Sequence, residues 1–235
     1  MEKNLYHRTQ NPMNFPKRLI DGYRAFCDGR LQTEQDRYRE LAENGQSPEI
    51  MVIGCCDSRC APEAIFNARP GELFVARNIS GLVPPYTPDG ATRAVSASLE
   101  FAVQALKVKH IVVRGHAQCG GIRAYAEEAE PLSPGDFIGH WMKLIEPAAK
   151  AVGPRGNMTM DQYVTKLEQM SVVTTLDNLM TFPCVKILVE RGKLMLHGAY
   201  FGVAAGRLSI RNPETGIFEQ IAVEEHSKIF AAPRF

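Results

Sequence analysis

Two short segments of the sequence carry side chains that can bind a metal ion and move protons. Each is an apolar run that stops at a glycine. The first is followed by a thiol, a carboxylate and a guanidinium, and the second by an imidazole and a thiol: Cys55, Asp57, Arg59, His116 and Cys119. Zinc prefers nitrogen and sulfur donors, and a catalytic zinc site has three protein ligands and one open position. The pattern therefore predicts a catalytic zinc site with Cys55, His116 and Cys119 as ligands.

Two other interpretations compete for the same cysteines and histidine. A structural zinc site usually contains paired Cys-x-x-Cys elements and four ligands, whereas the sequence has one His-x-x-Cys pair and no Cys-x-x-Cys. Alternatively, Cys55 and Cys119 are buried core thiols and His116 is a loop histidine. The occurrence of all three next to glycines at two predicted strand ends favours the catalytic site.

Asp57 and Arg59 lie two residues apart in a predicted tight turn, where they can form a charge-assisted and bidentate ion pair. Beside a metal ion, Asp57 has two alternative roles: it orients the metal-bound water, or it becomes the fourth ligand. Arg59 decides between these roles by holding the carboxylate away from the metal. An exposed surface ion pair of little energetic value is the competing interpretation, but the neighbouring Cys55 favours a functional pair.

Composition and charge limit the classes of protein to consider. The chain has 235 residues, of which 45% are hydrophobic and 23% charged, as in a globular protein. Its formal net charge of +1 gives no electrostatic reason to expect nucleic acid or an anionic membrane as a partner. The N-terminus lacks the apolar core of a secretory signal, and no window has the ~18 uninterrupted apolar residues of a membrane span. We therefore expect a cytoplasmic protein with reduced cysteines.

The elements that must position these residues follow a strand–helix–strand order. Continuous apolar runs without alternation indicate strands that are buried on both faces, as in a parallel sheet. We expect α/β architecture: a mostly parallel central sheet flanked by helices in a single domain over residues 1–235, with a helical, dimer-forming N-terminal arm over 1–45. Strands are predicted at 50–53, 73–76, 111–114 and 193–198, a hairpin at 206–210 and 216–219, and helices at 62–68, 92–107, 121–128, 136–152, 160–180 and 183–190.

The two ligand motifs, Cys55-Cys56-Asp57-Ser58-Arg59 and Gly115-His116-Ala117-Gln118-Cys119-Gly120-Gly121, resemble the signature of the β-class carbonic anhydrases. The resemblance continues through three further segments and covers roughly residues 45–210. These segments are Pro70 to Asn78, Ser98 to Val103 and Leu196 to Gly198.

This resemblance implies a fold, an activity and a cofactor. The expected fold is the β-carbonic anhydrase fold, assembled as a homodimer or a multiple of dimers with active sites at the subunit interface. The expected reaction is the reversible hydration of carbon dioxide to bicarbonate and a proton by attack of zinc-bound hydroxide. One zinc ion per subunit would be held by Cys55, His116 and Cys119, and Asp57 paired to Arg59 would orient the hydroxide.

The resemblance also implies substrate-binding residues and a subtype. Gln46 would donate a hydrogen bond to substrate, as in the plant-type members, and Phe74, Ile79, Phe101 and Gly120 would line the substrate pocket. Core packing is the competing interpretation for the three apolar residues. Some members bind inhibitory bicarbonate at a second pocket lined by tryptophan, arginine and tyrosine. The matching positions here are Val52, Arg77 and Phe201, so a plant-like, non-allosteric subtype is expected.

Three other functions compete with this one. A zinc hydrolase of the same fold acting on carbon disulfide or carbonyl sulfide would use the same site chemistry, and only the pocket and its access would differ. A zinc or thiol redox protein using Cys55, Cys56 and Cys60 would need neither Asp57 nor Arg59. A non-catalytic bicarbonate-sensing module would be expected to have lost a ligand or the ion pair, and both are present.

Overall fold

A six-stranded sheet organises the computed structural model, which describes residues 15–221. The strand order is β2-β1-β3-β4-β5-β6, in which β1 to β4 are parallel and β5 and β6 are antiparallel additions at one edge. The strands are β1 (Ile50–Cys55), β2 (Leu73–Asn78), β3 (His110–His116), β4 (Met195–Gly202), β5 (Arg207–Arg211) and β6 (Phe218–Gln220). The expected α/β architecture with a mostly parallel sheet is confirmed.

The burial of β1 is typical of a strand in a parallel sheet that is covered on both faces. Five of the six residues of β1 are buried, so apolar side chains are required on both faces of the strand. Leu99 and Val103 pack in the same cluster as Met51, Ile53 and Ile111. A second cluster lies around the carboxyl ends of β1 and β3 and includes both Cys55 and Cys119. The predicted ligands therefore lie at the edge of the sheet where binding sites form in open α/β folds.

Nine α-helices surround or precede the sheet within the described residues. They are α1 (Lys17–Asp28), α2 (Arg30–Asn44), α3 (Pro62–Ile65), α4 (Ala94–Glu100), α5 (Gly120–Ala126), α6 (Phe137–Met142), α7 (Glu146–Val152), α8 (Met160–Leu179) and α9 (Pro183–Glu190). The longest, α8, begins at a capping box in which Thr159 and Gln162 exchange side-chain and backbone hydrogen bonds. Its inner face packs against β3 and β4 through residues such as Val172 and Leu176.

Three of the predicted helices differ from the structure by more than a shift of one or two residues at an end. The helix expected over 136–152 is broken by a 3₁₀ turn at Lys143–Ile145, because Pro147 lacks a backbone N–H and suits the first turn of a new helix. The helix expected over 92–107 changes to π-helical bonding over Phe101–Ala105, where Leu106 N donates to Phe101 O. The helix expected over 62–68 ends at Ile65, and Asn67 has a φ of +46°.

The chain divides into two compact units, Met1–Gln46 and Ser47–Phe235. The first contains α1 and α2, so the N-terminal arm is helical as expected, and Phe26 packs against Tyr38 with ring centroids 5.9 Å apart. A single domain over 1–235 stays a prediction. In the described part of the chain no single helix is long and apolar enough to cross a membrane; α8 and α9 together meet that length and composition, but a 91° bend separates them and α8 packs in the core.

Candidate metal centre

The three predicted ligands meet at the carboxyl edge of the sheet. Cys55 is the last residue of β1 and His116 is the last residue of β3, and these two strands are parallel neighbours. Cys119 directly precedes α5. Their ligand atoms lie within 4.8 Å of one another, and all three residues are buried. Across residues 15–221, no other group of three or more histidine, cysteine or acidic side chains meets this test.

The imidazole of His116 is oriented for metal binding. Its Nδ1 lies 2.9 Å from the carbonyl oxygen of Ala117, and because a carbonyl only accepts, Nδ1 carries the proton. The lone pair is then on Nε2, which is buried and has no hydrogen-bond partner among the described residues. An unpartnered buried polar atom is costly, whereas histidine ligands typically bind metal with one nitrogen and donate from the other. This donor set fits zinc.

Hydrogen bonds to sulfur surround the two thiols. Cys55 Sγ accepts from Asp57 N at 3.4 Å and from Ser80 N at 3.2 Å, and Cys119 Sγ lies 3.3 Å from Ser80 Oγ. The hydrogen bond between the thiols raises the pKa of Cys55 to about 12 and lowers that of Cys119 to about 7. A bound cation would favour both thiolates.

Ser80 touches both thiols and was not predicted from the sequence. It is buried and has a φ of +66°, a conformation that costs energy for a residue other than glycine. Gly81 and Gly121 allow this turn to lie against the site: a Cβ on Gly121 would lie 2.6 Å from Ser80 Oγ, and a Cβ on Gly81 would lie 3.0 Å from the backbone of Gly54. The two motifs thus meet on a turn that follows β2.

Asp57 and Arg59 form the predicted bidentate ion pair. Arg59 Nε donates to Oδ1 at 2.9 Å and Arg59 Nη2 donates to Oδ2 at 2.7 Å. The Arg59 guanidinium holds the pKa of the Asp57 carboxyl well below its usual range. Oδ2 also lies 4.0 Å from His116 Nε2, so the carboxylate faces the metal-binding group. Arg59 Nη2 further donates to Gln118 O at 3.0 Å, which ties the loop after β1 to the loop after β3.

Two other arginines fix the backbone of the loop after β1. Arg77 Nε donates to Cys55 O at 2.9 Å, and its Nη2 donates to Asp57 O at 2.8 Å. Arg114 is buried, and its Nη2 donates to Cys60 O. Carbonyl oxygens before and after Asp57 therefore accept hydrogen bonds from arginines on β2 and β3. The orientation of the Asp57 side chain rests on this support.

The predicted substrate residues fall into separate places within one chain. Ile79 lines a cavity of about 660 Å³ together with Cys56, Val95 and Trp141. Phe74 and Phe101 do not line that cavity; they pack against each other with ring centroids 5.9 Å apart, and Phe101 is 49% exposed.

The other two predicted substrate residues are both exposed. Gly120 begins α5 and faces open space, since a Cβ added there would meet nothing within 4 Å. Gln46 is the last residue of the first unit. The substrate-binding assignments of Gln46, Phe74, Ile79, Phe101 and Gly120 stay predictions.

Residues 50–208 match the carbonic anhydrase family. In Arabidopsis thaliana, β-carbonic anhydrase 3 is 30% identical over 203 residues, which cover 85% of this chain and 78% of the relative. The chain belongs to the β-carbonic anhydrase family. Chloroplastic β-carbonic anhydrase 5 of the same plant is 35% identical over 180 residues, which cover 75% of this chain. The matched part spans only 58% of that relative's length.

Solved β-carbonic anhydrase structures share the fold. The β-carbonic anhydrase CcaA has a TM-score of 0.81 at 28% identity, covering 88% of this chain and 92% of that chain. A structure from a study of two tetrameric β-carbonic anhydrases of the ascomycete Sordaria macrospora has a TM-score of 0.71 at 28% identity, covering 83% and 95%. β-Carbonic anhydrases use zinc, and the Cys55, His116 and Cys119 group is consistent with one zinc site.

Proposed function

We propose that this protein catalyses the reversible hydration of carbon dioxide to bicarbonate and a proton. One observation carries the proposal: a carboxylate fixed by two parallel hydrogen bonds from Arg59 lies 4.0 Å from the unpartnered nitrogen of His116, and that nitrogen lies within 4.8 Å of two buried thiols. A purely structural metal site has no need of an ionised, immobilised carboxylate at its open side. Family membership supports the same reaction.

Cys55, His116 and Cys119 would hold the zinc ion. When bound there, zinc lowers the pKa of a coordinated water molecule towards neutrality and supplies hydroxide for addition to carbon dioxide. Asp57 is ionised at neutral pH and can only accept hydrogen bonds. Its role would be to accept a hydrogen bond from the remaining O–H of the nucleophile, which would orient the oxygen lone pair towards the substrate carbon.

Arg59 has a separate role in the same step. Its guanidinium occupies both carboxylate oxygens of Asp57, and its link to Gln118 O fixes the direction from which it approaches. Asp57 is thereby kept from swinging towards the metal ligands and becoming a fourth ligand itself. The fourth position stays open for water.

An apolar surface suits carbon dioxide, which has no net dipole and needs no charged partner in the ground state. The cavity beside Cys56 offers such a surface through Ile79 and Val95. We assign Ile79 and Gly120 to the substrate side of the site in the same chain. Gln46, Phe74 and Phe101 are proposed as further substrate contacts.

The non-allosteric subtype is proposed on three features of the residues at the second-pocket positions. Val52 is buried in the sheet. Arg77 is already committed to Cys55 O and Asp57 O. Phe201 lacks a hydroxyl and lies 5.9 Å from the Arg114 guanidinium, measured to the ring centroid. These features support a site in which Asp57 remains paired with Arg59.

A homodimer, or a multiple of dimers, is proposed for the assembly. In a single chain α1 and α2 bury none of their residues, and apolar side chains of α1 remain open to solvent, including Leu19 at 57% and Tyr23 at 66% exposure. Exposed apolar surface of this kind is typical of interaction sites. The exposed side chain of Phe101 supports a second contact between subunits. Location in the cytoplasm stays a prediction.

Stopped-flow measurement of carbon dioxide hydration from pH 6.5 to 9 tests the proposal on the zinc-loaded protein and on Asp57→Ala. We expect the wild type to accelerate hydration far above buffer and Asp57→Ala to lose most of that activity while it retains zinc. A wild-type rate equal to that of buffer would refute the proposed function. Parallel assays with carbon disulfide and carbonyl sulfide check the alternative substrates, which no feature of the described residues favours.

A further inference from the structure

A buried carboxylate lies behind the metal centre. Glu168 is on α8 and is 1% exposed. Burial raises the pKa of this carboxyl group, so its presence in the core carries an energetic cost unless its oxygens are well hydrogen-bonded. Both are: Oε1 accepts from the backbone N–H of Cys119 at 2.8 Å, and Oε2 accepts from the hydroxyl of Tyr200 at 2.6 Å.

The hydrogen bond from Cys119 falls on an irregular part of the backbone at the site. Gln118 has a φ of +57°, which costs energy for a residue other than glycine. Cys119 directly precedes α5, and its side chain does not cap that helix. Ala117 N is anchored to Phe201 O at 2.9 Å and Gln118 O accepts from Arg59. Of these three backbone anchors, the contact with Glu168 is the one that acts on the ligand residue itself.

Tyr200 connects this contact to the sheet. It lies on β4 opposite Gly115 of β3, one residue before His116. A Cβ on Gly115 would lie 2.8 Å from a methyl group of Val172 and 3.3 Å from Glu168 O, so the glycine allows α8 to lie directly against β3. Helix α8, strand β4 and the loop after β3 therefore meet at one buried carboxylate.

We propose that Glu168 and Tyr200 are positioning residues that fix Cys119 through its backbone N–H and so determine how tightly the metal centre retains zinc. Neither side chain reaches the ligand sulfur; they act by placing the backbone of Cys119, from which the sulfur extends. Partners of this kind behind metal ligands typically change metal affinity or activity by about 10–100-fold when they are removed. The inference deepens the proposed function and rests on the same zinc site.

Four variants of the full zinc-loaded chain separate positioning from general packing. Glu168→Leu removes both acceptors, whereas Glu168→Gln keeps a carbonyl oxygen for Cys119 N–H. Tyr200→Phe removes only the second hydrogen bond. The matched control is Ser171→Ala, which deletes a buried hydrogen bond of the same helix, from Ser171 Oγ to Glu168 O at 2.8 Å, without touching the metal loop.

Two readouts report on the metal rather than on activity. The first is the rate of zinc transfer to a chromophoric chelator in the absence of denaturant, and the second is the visible absorption spectrum of the cobalt-substituted protein, which reports ligand geometry. We expect Glu168→Leu to release zinc about 10–100-fold faster than wild type and to alter the cobalt spectrum. Tyr200→Phe should show a smaller acceleration, and Glu168→Gln and Ser171→Ala should remain close to wild type.

The proposal is overturned if folded Glu168→Leu releases zinc at the wild-type rate, or if Ser171→Ala accelerates release as strongly. Should Glu168→Leu fail to fold by circular dichroism, Tyr200→Phe decides, and wild-type zinc release from that variant overturns the proposal. A wild-type protein that shows the expected zinc retention but does not hydrate carbon dioxide would contradict the proposed function alone.

Discussion

Adjacent glycines at the start of α5 provide a sharp test of how the metal centre is packed. A Cβ on Gly121 would lie 2.6 Å from Ser80 Oγ, 2.8 Å from Ile79 Cγ2 and 3.2 Å from Met142 Sδ. A Cβ on Gly120 would meet nothing within 4 Å. Neither glycine has a positive φ, so the backbone allows alanine at both positions. The two substitutions therefore differ mainly in the space available to the new methyl group.

The expected cost of Gly121→Ala follows from these distances. Ser80 must move by roughly 0.8 Å to reach ordinary contact with the new methyl group, and it cannot move freely because it is buried and touches both thiols. Overpacking of this kind typically costs about 1–3 kcal/mol in the free energy of unfolding. Gly120→Ala should instead be neutral or stabilising by up to about 1 kcal/mol, because alanine favours the helix over glycine.

Thermal unfolding of the zinc-loaded variants measures this difference. For a chain of this size, 1 kcal/mol corresponds to roughly 2–4 °C, so Gly121→Ala should unfold several degrees below Gly120→Ala. It should also release zinc faster, since the displaced Ser80 contacts both ligand sulfurs. If Gly121→Ala proves as stable as Gly120→Ala, the inference that Ser80 is tightly packed against α5 is refuted.

Three further predictions concern the ion pair, the half-buried His197 and the N-terminal arm. Arg59→Ala should lose most carbon dioxide hydration at pH 6.5–9 while retaining zinc, because Asp57 stays ionised there but is no longer held. The control is Arg69→Ala, which removes an exposed ion pair with Glu72, and equal activities of the two variants would contradict the role of Arg59. Burial lowers the pKa of His197 below its usual 6.5, so the unfolded chain binds the proton more readily, and stability falls as the pH drops from about 6.5 through the lower pKa of the folded state. Urea unfolding between pH 5 and 7.5 should show that His197→Gln loses less stability than the wild type as the pH falls. An unchanged pH dependence in this variant would contradict the lowered pKa of His197. Leu19→Glu should shift the sedimentation coefficient towards a single chain, whereas a wild type that already sediments as one chain would exclude the proposed dimer.

The ligands and the ion pair could be predicted because their chemistry is local in the sequence. His116 and Cys119 lie three residues apart, and Asp57 and Arg59 lie two residues apart, so each motif can be recognised within one loop. Parallel apolar strands then bring Cys55 to His116, since their carboxyl ends share one edge of the sheet. The strand positions could also be predicted from the sequence, because the apolar runs are short, continuous and bounded by turn residues.

The supporting residues could not be found in this way because they come from distant parts of the chain. Glu168 is 49 residues from Cys119 and lies in a long helix where a single acidic residue is ordinarily solvent-exposed. Ser80 has no neighbouring motif, and its positive φ appears only in the folded chain. The breaks in the predicted helices arise from Pro147 and from π-helical bonding near Phe101, and the second leaves no clear sequence pattern.

X-ray absorption spectroscopy of the zinc-loaded protein tests the central claim most directly, because it counts the atoms that bind the metal. A site formed by Cys55, His116 and Cys119 with water in the fourth position predicts two sulfur ligands at about 2.3 Å and two nitrogen or oxygen ligands at about 2.0–2.1 Å. The Asp57→Ala variant should give the same result, since Asp57 is held by Arg59 and is not a ligand. Three or more sulfur ligands, or the loss of an oxygen ligand in Asp57→Ala, would contradict an open site controlled by the ion pair.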